Sequence, residues 1–456
     1  MALPTKRLAF QLPNHIRHAT AAAAEWSKPL RKLDEECAKG LQEYKDMGWW
    51  HTTVQVKDMK GADLIPTKGK NMINMLSNSY LMLNGHPRIF SAIRKALDTH
   101  STISTGGSGK LIGLDIHRET EAEIARYHGT EDAVLYNSLY LGNTFIVAVA
   151  TKDDLIISDA NNHASIIMGV RLSPAKKLVY KTLDMKDLEA KLIEGQKFNP
   201  RRTFIFTDGI FSMEGTIVDI IKMRELADKY NAVIVNDDCH GAGVIGATGR
   251  GTDEYYGVKN YSDIITGSCG KAGSGCNGGY VCGPANFTTY LRHTSRQWFM
   301  STFNSVADCA AIKESFKIMS DEPEHVKTLQ ENIIYFKKNL LSQGFDLPGI
   351  MEAGVVPIII GSERTVYEVY DRLLERGIIG VGVRFPAVPK GHGRMRFTVN
   401  RAISKSQMDY VVNAMVEIRK ELGGLPEITG DAIELTRGDQ SKKLVSKVIT
   451  LSKSDY

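Results

Sequence analysis

Between about residues 71 and 325, short apolar runs alternate with helical patterns, and this alternation constrains the fold more than any other feature. Residues 133–136, 154–158, 203–207, 232–235, 263–266 and 279–282 are β-branched or apolar stretches of strand length, separated by helical patterns such as residues 222–230. Strands alternating with helices pair mostly in parallel, because each crossover houses a helix, and the resulting sheet is covered on both faces. Ligands bind such sheets at the C-terminal ends of the strands, so polar residues there carry the functional reading. The flanks read differently. Residues 1–70 are expected to form a helical lead-in, with apolar positions at helical spacing from Trp26 to Tyr44 and turn residues closing it at Pro66 to Lys70. Residues 71–325 form the large domain. Residues 326–424 read as a smaller α/β domain, entered through a helix over 325–341 and holding apolar runs at 355–360 and 395–399. Residues 425–456 are a polar, Lys/Ser-rich tail, and there is no internal repeat.

With 456 residues the chain can bury a large core in two or three domains. Its 43% hydrophobic and 24% charged residues are those of an ordinary soluble globular protein. No apolar stretch approaches the ~20 residues that span a bilayer, so the chain is not expected to be an integral membrane protein. A net charge of +5 suits an anionic ligand as well as plain solubility, and no Lys/Arg stripe with interleaved aromatics points to nucleic acid. The six cysteines (37, 239, 269, 276, 282 and 309) include no CxxC pair and do not resemble a metal-ligand set, so no metal is expected. They read as reduced thiols of a cytoplasmic protein. The first 24 residues hold Lys6, Arg7 and Arg17 and no acid, which makes a mitochondrial presequence the alternative.

Chemistry enters at two strand ends. Lys271 sits among small residues in Thr266-Gly-Ser-Cys-Gly-Lys271-Ala-Gly-Ser-Gly-Cys-Asn-Gly-Gly-Tyr280, just after one apolar run. Another run, Val233-Ile-Val-Asn-Asp237, carries a carboxylate out of apolar surroundings, which is costly unless a cation or several donors receive it. Pyridoxal phosphate needs this pair: an amine that forms an imine, and an anion that keeps the pyridine nitrogen protonated. Asp237 could equally cap the next turn. Gly106-Gly107-Ser108-Gly109 lets backbone amides approach a ligand, or makes an ordinary loop. His163, in Asn162-His163-Ala-Ser165, could stack on an aromatic ring or relay a proton, or be a hydrogen-bonded histidine and nothing more. Ser268 and the pair Ser301-Thr302 offer hydroxyls to a phosphate or to helix caps. Arg384, Arg394 and Arg396 crowd one segment; 394 and 396 share a strand face, and guanidinium is the natural bidentate clamp for a carboxylate.

Taken in order, these segments resemble the α-oxoamine synthase family of fold-type I pyridoxal-phosphate enzymes, which includes 8-amino-7-oxononanoate synthase, serine palmitoyltransferase, 5-aminolevulinate synthase and glycine C-acetyltransferase. The similarity runs from Leu76-Ser-Asn78-Ser-Tyr80 to about Leu422. Its most specific stretch, Asp237-Asp-Cys-His240-Gly-Ala-Gly-Val-Ile-Gly-Ala-Thr-Gly-Arg-Gly251, is similar to the family's DDAHGxGxxGxxGRG. His163 falls in the SHAS-like segment, Asp208-Gly-Ile-Phe-Ser212-Met-Glu-Gly matches another motif, and Arg384 to Arg396 resembles RPPxxPxGxxRLR.

The resemblance implies a large, mostly parallel sheet domain with a smaller C-terminal α/β domain, and pyridoxal 5'-phosphate as cofactor. Lys271 would hold the cofactor covalently and serve as acid/base at the substrate's α-carbon. Asp237 would pair with the pyridinium, His240 would bond the phenolic oxygen and His163 would stack on the ring. Ser138, Leu139, Tyr140 and Ser268 would bind the phosphate, with Ser212 also at the cofactor. Thr302 would come from the neighbouring subunit, implying a homodimer with shared active sites. Asn78 and Arg396 would hold the amino-acid carboxylate. Arg384 matches the serine- and alanine-using branches, and with Gly107-Ser108 it points to alanine or serine as the substrate. The implied reaction condenses that amino acid with an acyl-CoA or acyl-carrier thioester, releasing CoA and carbon dioxide. A glycine-using member is the nearest alternative; a plain aminotransferase or a non-catalytic partner subunit follows. Three departures surround the substrate entrance. The loop after Lys271 is one residue longer than the family's KAFGxxGGY, the loop from Gly113 to His117 is one shorter, and Phe303-Asn-Ser-Val replaces Ser-x-Pro-Pro.

Overall fold

The computed structural model describes residues 27–46, 53–107, 109–273, 275–385 and 387–425; the polar tail from 426 onward lies outside them. The N-terminal segment is a unit of its own, and its described residues include the helix Lys28–Asp46, whose apolar Leu30, Leu33, Leu41 and Tyr44 are all exposed. Residues 56–74 depart from the helical reading. They form β1 (Val56–Lys60), β2 (Asp63–Pro66) and β3 (Met72–Asn74), an antiparallel meander whose first turn is the two-residue Gly61-Ala62. β1 is almost wholly solvated and shows no apolar alternation, so nothing in its composition announces a strand.

The main sheet contains β4 (Asp132–Tyr136), β5 (Leu155–Asp159), β6 (Lys176–Tyr180), β7 (Thr203–Asp208), β8 (Ala232–Asp237), β9 (Ile264–Ser268) and β10 (Gly279–Gly283), in the order β4-β10-β9-β8-β7-β5-β6. β10 runs antiparallel to both of its neighbours, and every other pair is parallel. Burial on both faces is visible residue by residue. Ile156, Phe204, Phe206 and Val235 pack into one core, while their neighbours Leu155, Ile157, Ile205 and Ile234 pack into the other. This explains the near-continuous apolar runs. Edge strand β6 is mostly exposed and reads as a polar segment.

The C-terminal region adds β11 (Val355–Gly361), β12 (Ile378–Ile379), β13 (Val381–Val383) and β14 (Gly393–Thr398). β11, β14 and β13 form an antiparallel sheet; β12 instead pairs in parallel with β3, so the segment before residue 75 completes the C-terminal structure. Helices Glu324–Ser342 and Lys405–Glu421 pack together beside it, the latter opened by a Ser404/Gln407 capping box.

One carboxylate locks the loop after β8. Asp238 accepts from the backbone N–H and the hydroxyl of Thr252 at 2.8 and 2.7 Å. Its oxygens sit where a Cβ on Gly241 or Gly251 would stand, at 2.0 and 1.8 Å, and Gly251 also holds a φ of +91°. The motif's glycines are therefore the room this carboxylate occupies. Burial lifts the Asp238 carboxyl to about 7; the Thr252 hydrogen bonds oppose the shift and the neighbouring Asp253 and Asp237 charges add to it. The fold thus keeps this proton to higher pH than the unfolded chain does. The stability it contributes is complete below about pH 4 and is lost as pH rises through about 7. Urea denaturation of Asp238→Asn at a series of pH values should therefore show a flatter decline between pH 4 and 7, by on the order of 4 kcal/mol at most. Parallel curves for variant and parent would refute this.

Candidate active site

Five strands deliver residues to one edge. β4 leads into residues 137–140, β5 into Asn162 and His163, β7 ends in Asp208, β8 leads into Asp237 to His240, and β9 into Ser268 to Lys271. Between them lies a cleft of about 280 Å³ lined by Ser138, Tyr140, His163, Cys239, Ser268 and Lys271. Lys271 rides on the hairpin joining β9 to β10, anchored where Ser268 pairs with Gly279 and where the Cys269 N–H donates to Gly278 O at 3.0 Å. Its Nζ contacts the Cys239 sulfur. A Cβ on Gly279 would lie 2.2 Å from the Leu139 nitrogen, so only glycine lets the hairpin stand directly against the turn at Ser138, Leu139 and Tyr140. In that turn the Ser138 hydroxyl caps the short helix Leu139–Gly142, accepting from Leu141 N at 3.3 Å. Ser268 Oγ accepts from Gly270 N at 3.2 Å.

Asp237 is 2% exposed. Asn143 Nδ2 donates to its Oδ2 at 2.7 Å and the Cys239 N–H donates to Oδ1 at 3.1 Å. Asn143 also donates to Ser165 Oγ (2.9 Å) and accepts from Thr266 Oγ1 (2.8 Å), and Ser165 in turn meets His163 Nδ1 at 2.7 Å. One buried amide thus joins the carboxylate at the end of β8 to Thr266 of β9 and to Ser165 in the helix that follows β5. A carboxylate offers about four lone-pair sites, and these two donors leave capacity for a further donor. His163 opens onto the cleft, yet desolvation there, reinforced by Lys271 and opposed by Asp237, lowers its imidazole below the usual range. Asp208 is pushed well above the usual carboxylate range by burial, with the Asp237 charge adding to it.

His240 is buried against Tyr80, Nδ1 to phenol oxygen 2.6 Å. Burial first, then Lys271, Arg396 and His163, hold its pKa well below the ordinary value, so the ring is neutral. Burial raises the Tyr80 phenol, keeping its proton. We assign that proton to the hydrogen bond with Nδ1, which leaves Nε2 carrying the ring's N–H as a donor.

The arginines divide the work. Arg394, 1% exposed, pairs with Glu214 at 3.2 Å and donates to Met213 O at 3.0 Å. Arg396, 8% exposed, donates through Nη1 to the Ser212 carbonyl at 3.1 Å, has a buried Nε with no hydrogen-bond partner, and forms no ion pair among the described residues. Its charge is felt at both Tyr80 and His240. Thr398, two residues along the same strand, donates to Asn78 Oδ1 at 3.5 Å, which places Asn78 beside it. Arg384 lies past the end of β13 with its guanidinium 4.1 Å above the Tyr367 ring. Thr302 receives the Asn137 amide on its carbonyl at 2.8 Å, next to Ser138 of the same chain. Ser108 lies outside the described residues.

The chain matches the Aminotransferase class I and II family over residues 70–415. An 8-amino-7-oxononanoate synthase of Thermosipho melanesiensis is 35% identical over 388 residues, 85% of this chain and 98% of that protein. The mitochondrial 2-amino-3-ketobutyrate coenzyme A ligase of Bos taurus is 35% identical over 399 residues, 86% and 93% of the two chains. The chain belongs to the α-oxoamine synthase family of pyridoxal-phosphate enzymes. The solved serine palmitoyltransferase of Sphingomonas wittichii superposes with a TM-score of 0.80 at 23% identity, covering 88% of this chain and all of that one, which shows the shared fold-type I architecture.

Two of this member's departures from the family pattern pack against each other. The Phe303 ring lies where a Cβ on Gly109 would stand, 1.8 Å away, and meets His117 and Trp298 at ring distances of 4.4 and 4.9 Å. It also walls a hollow of about 340 Å³ that reaches Gly113 and Leu114. Sequence reasoning assigned no role to Asn143, Asp208, Cys239 or Tyr80, although all but Asn143 stand inside matched motifs. Tyr80→Phe leaves a buried imidazole nitrogen without its partner, and denaturation should show a loss of about 1–3 kcal/mol. An unchanged midpoint would mean the phenol is not what holds His240.

Proposed function

We propose that this chain is a decarboxylating C-acyltransferase that condenses a small α-amino acid, alanine or serine, with an acyl-CoA or acyl-carrier thioester to give an α-amino ketone. The observation that carries it is Arg396, a buried guanidinium with an unpartnered Nε, standing within electrostatic reach of the Tyr80–His240 pair and on the same strand as Asn78's neighbour. A buried cation lacking a carboxylate is costly unless a ligand supplies one.

The cleft's donors and acceptors fit pyridoxal 5'-phosphate. When bound, that cofactor supplies an electron sink for negative charge at the amino acid's α-carbon. Lys271 would hold it, and the same amine would hold or move the proton at the substrate's α-carbon. Asp237, already oriented by Asn143, would face the pyridine nitrogen as an anion. His240 would offer its Nε2–H as a donor to the cofactor, and His163 would lie over it. The turn at Ser138, Leu139 and Tyr140, together with Ser268, receives the phosphate, and Ser212 stands beside Arg396 at the rim. Arg396 and Asn78 grip the substrate carboxylate and orient the bond that breaks as carbon dioxide leaves. Thr302 completes the phosphate site of a second copy, making a homodimer. Exposed Met300, Leu111 and Ile112 on the loops around it supply apolar surface for that contact.

Arg384 supports alanine or serine over glycine. The glycine-using reading rests on the mitochondrial ligase standing at the same 35% identity as the synthases. Titrating the pyridoxal-loaded protein with glycine, alanine and serine, then with acyl-CoAs, tests both. A visible-band shift with one amino acid followed by free thiol supports the synthase and names its substrate; a shift with no thiol and keto-acid-dependent amine transfer would favour an aminotransferase. Lys271→Ala should bind cofactor without a borohydride-reducible bond and release no thiol, and turnover by that variant would overturn the assignment. Arg396→Ala should raise the amino-acid KM and lower kcat together, a combined loss of about 100-fold or more in kcat/KM. Unchanged steady-state constants would move the carboxylate grip to Arg384 or Asn78.

A further inference from the structure

We propose that His86, Glu322 and His325, none of which lines the lysine cleft, form a binding site for a divalent transition-metal ion of the zinc type that is independent of the reaction assigned to that cleft. One ligand atom from each residue lies within 4.8 Å of the others. His86 is the N-cap of helix Pro87–His100, where its Nδ1 accepts from the Arg88 N–H at 3.3 Å. Glu322 caps the C-terminus of helix Val306–Asp321, and His325, three residues on, lies in the first turn of helix Glu324–Ser342.

The orientation of the pair is what points to a third body. His325 Nε2 is buried and lies 3.0 Å from Glu322 Oε2, yet the two do not meet hydrogen-bond geometry, and among the described residues Nε2 has no hydrogen-bond partner. A plain ion pair would aim the N–H at the carboxylate. Two ligands aimed instead at a shared ion, with bonds of about 2.0–2.1 Å, stand roughly 3.3–3.4 Å apart in a tetrahedral site. The other carboxylate oxygen, Oε1, is held by Arg88 Nη1, and Arg88 is itself fixed by Glu314 and Asp321. This is the kind of outer partner that orients a metal-binding carboxylate. Three carboxylates, Glu314, Asp321 and Glu322, gather on the single Arg88 guanidinium, which leaves negative charge beside the cluster. Two imidazoles and one carboxylate suit zinc, with water in the fourth position. An ion there would fasten the helix starting at Pro87 to the helix that leads into the C-terminal sheet.

The test uses the full-length, pyridoxal-loaded protein. Zinc binding is measured by competition with a chromophoric chelator, and cobalt(II) substitution reports coordination through its visible d–d bands. The parent should bind one zinc per chain at this site, show tetrahedral cobalt bands and gain thermal stability with zinc. His86→Asn keeps a capping side chain but removes a ligand, and His325→Gln removes another; each should abolish the cobalt bands and the zinc-dependent rise in melting temperature. Arg88→Gln should weaken zinc about 10- to 100-fold. Zinc stoichiometry and affinity unchanged in His86→Asn, or no zinc-dependent stabilisation of the parent, overturns the proposal. His86 is only half-buried, so that variant stands even if His325→Gln fails to fold.

Discussion

The Asp237 carboxylate, buried at the end of a central strand, is the constraint around which the rest of this edge is organised. Its desolvation is tolerated because Asn143 and the backbone after it meet both oxygens. Asn143 can do so only because Ser165 and Thr266 satisfy its other polar atoms. A single amide therefore ties β8, β9 and the helix after β5 into one geometry, and Ser165 carries it on to His163. Replacing any member would leave another buried group unsatisfied, so the cluster holds together as a unit.

A second axis runs from the C-terminal sheet into the cleft. β14 carries two guanidiniums on one face. The first is neutralised inside the protein by Glu214 and reads as scaffold. The second ends in an unsatisfied donor next to Tyr80 and His240. The same strand thus supplies both an anchor and a receptor, and the anchor fixes the receptor's position.

Much of this was legible beforehand. Each of the six apolar runs named in the large domain is a strand, since two-sided burial leaves a continuous hydrophobic signature. Lysine, aspartate and both histidines fell where strand ends put them. Other features leave no local trace. β6 lies at an edge and is solvated, so it lacks the signature. The reversal of β10 changes direction without changing periodicity. Residues 56–66 pair as strands through a two-residue turn and against β3, which itself pairs with a distant C-terminal strand, rather than through an apolar pattern of their own. Arg394 and Arg396 share a face and a spacing, and their difference is set by a glutamate far away in the chain. His86 and His325 carry no spacing motif at all, because a helix cap and a helix junction bring them together only in three dimensions.

The reversed strand has one consequence for how this protein can change. Because β9 and β10 are antiparallel neighbours, Lys271 stands on a hairpin laced at its base by the Ser268–Gly279 register and the Cys269–Gly278 hydrogen bond. Residues gained or lost between Lys271 and Gly278 alter only the far limb of that hairpin, while the near limb keeps its length from strand to amine. Evolution can therefore resculpt the doorway of the cleft residue by residue without retuning the reactive amine, much as a hinge pin stays put while the door is recut.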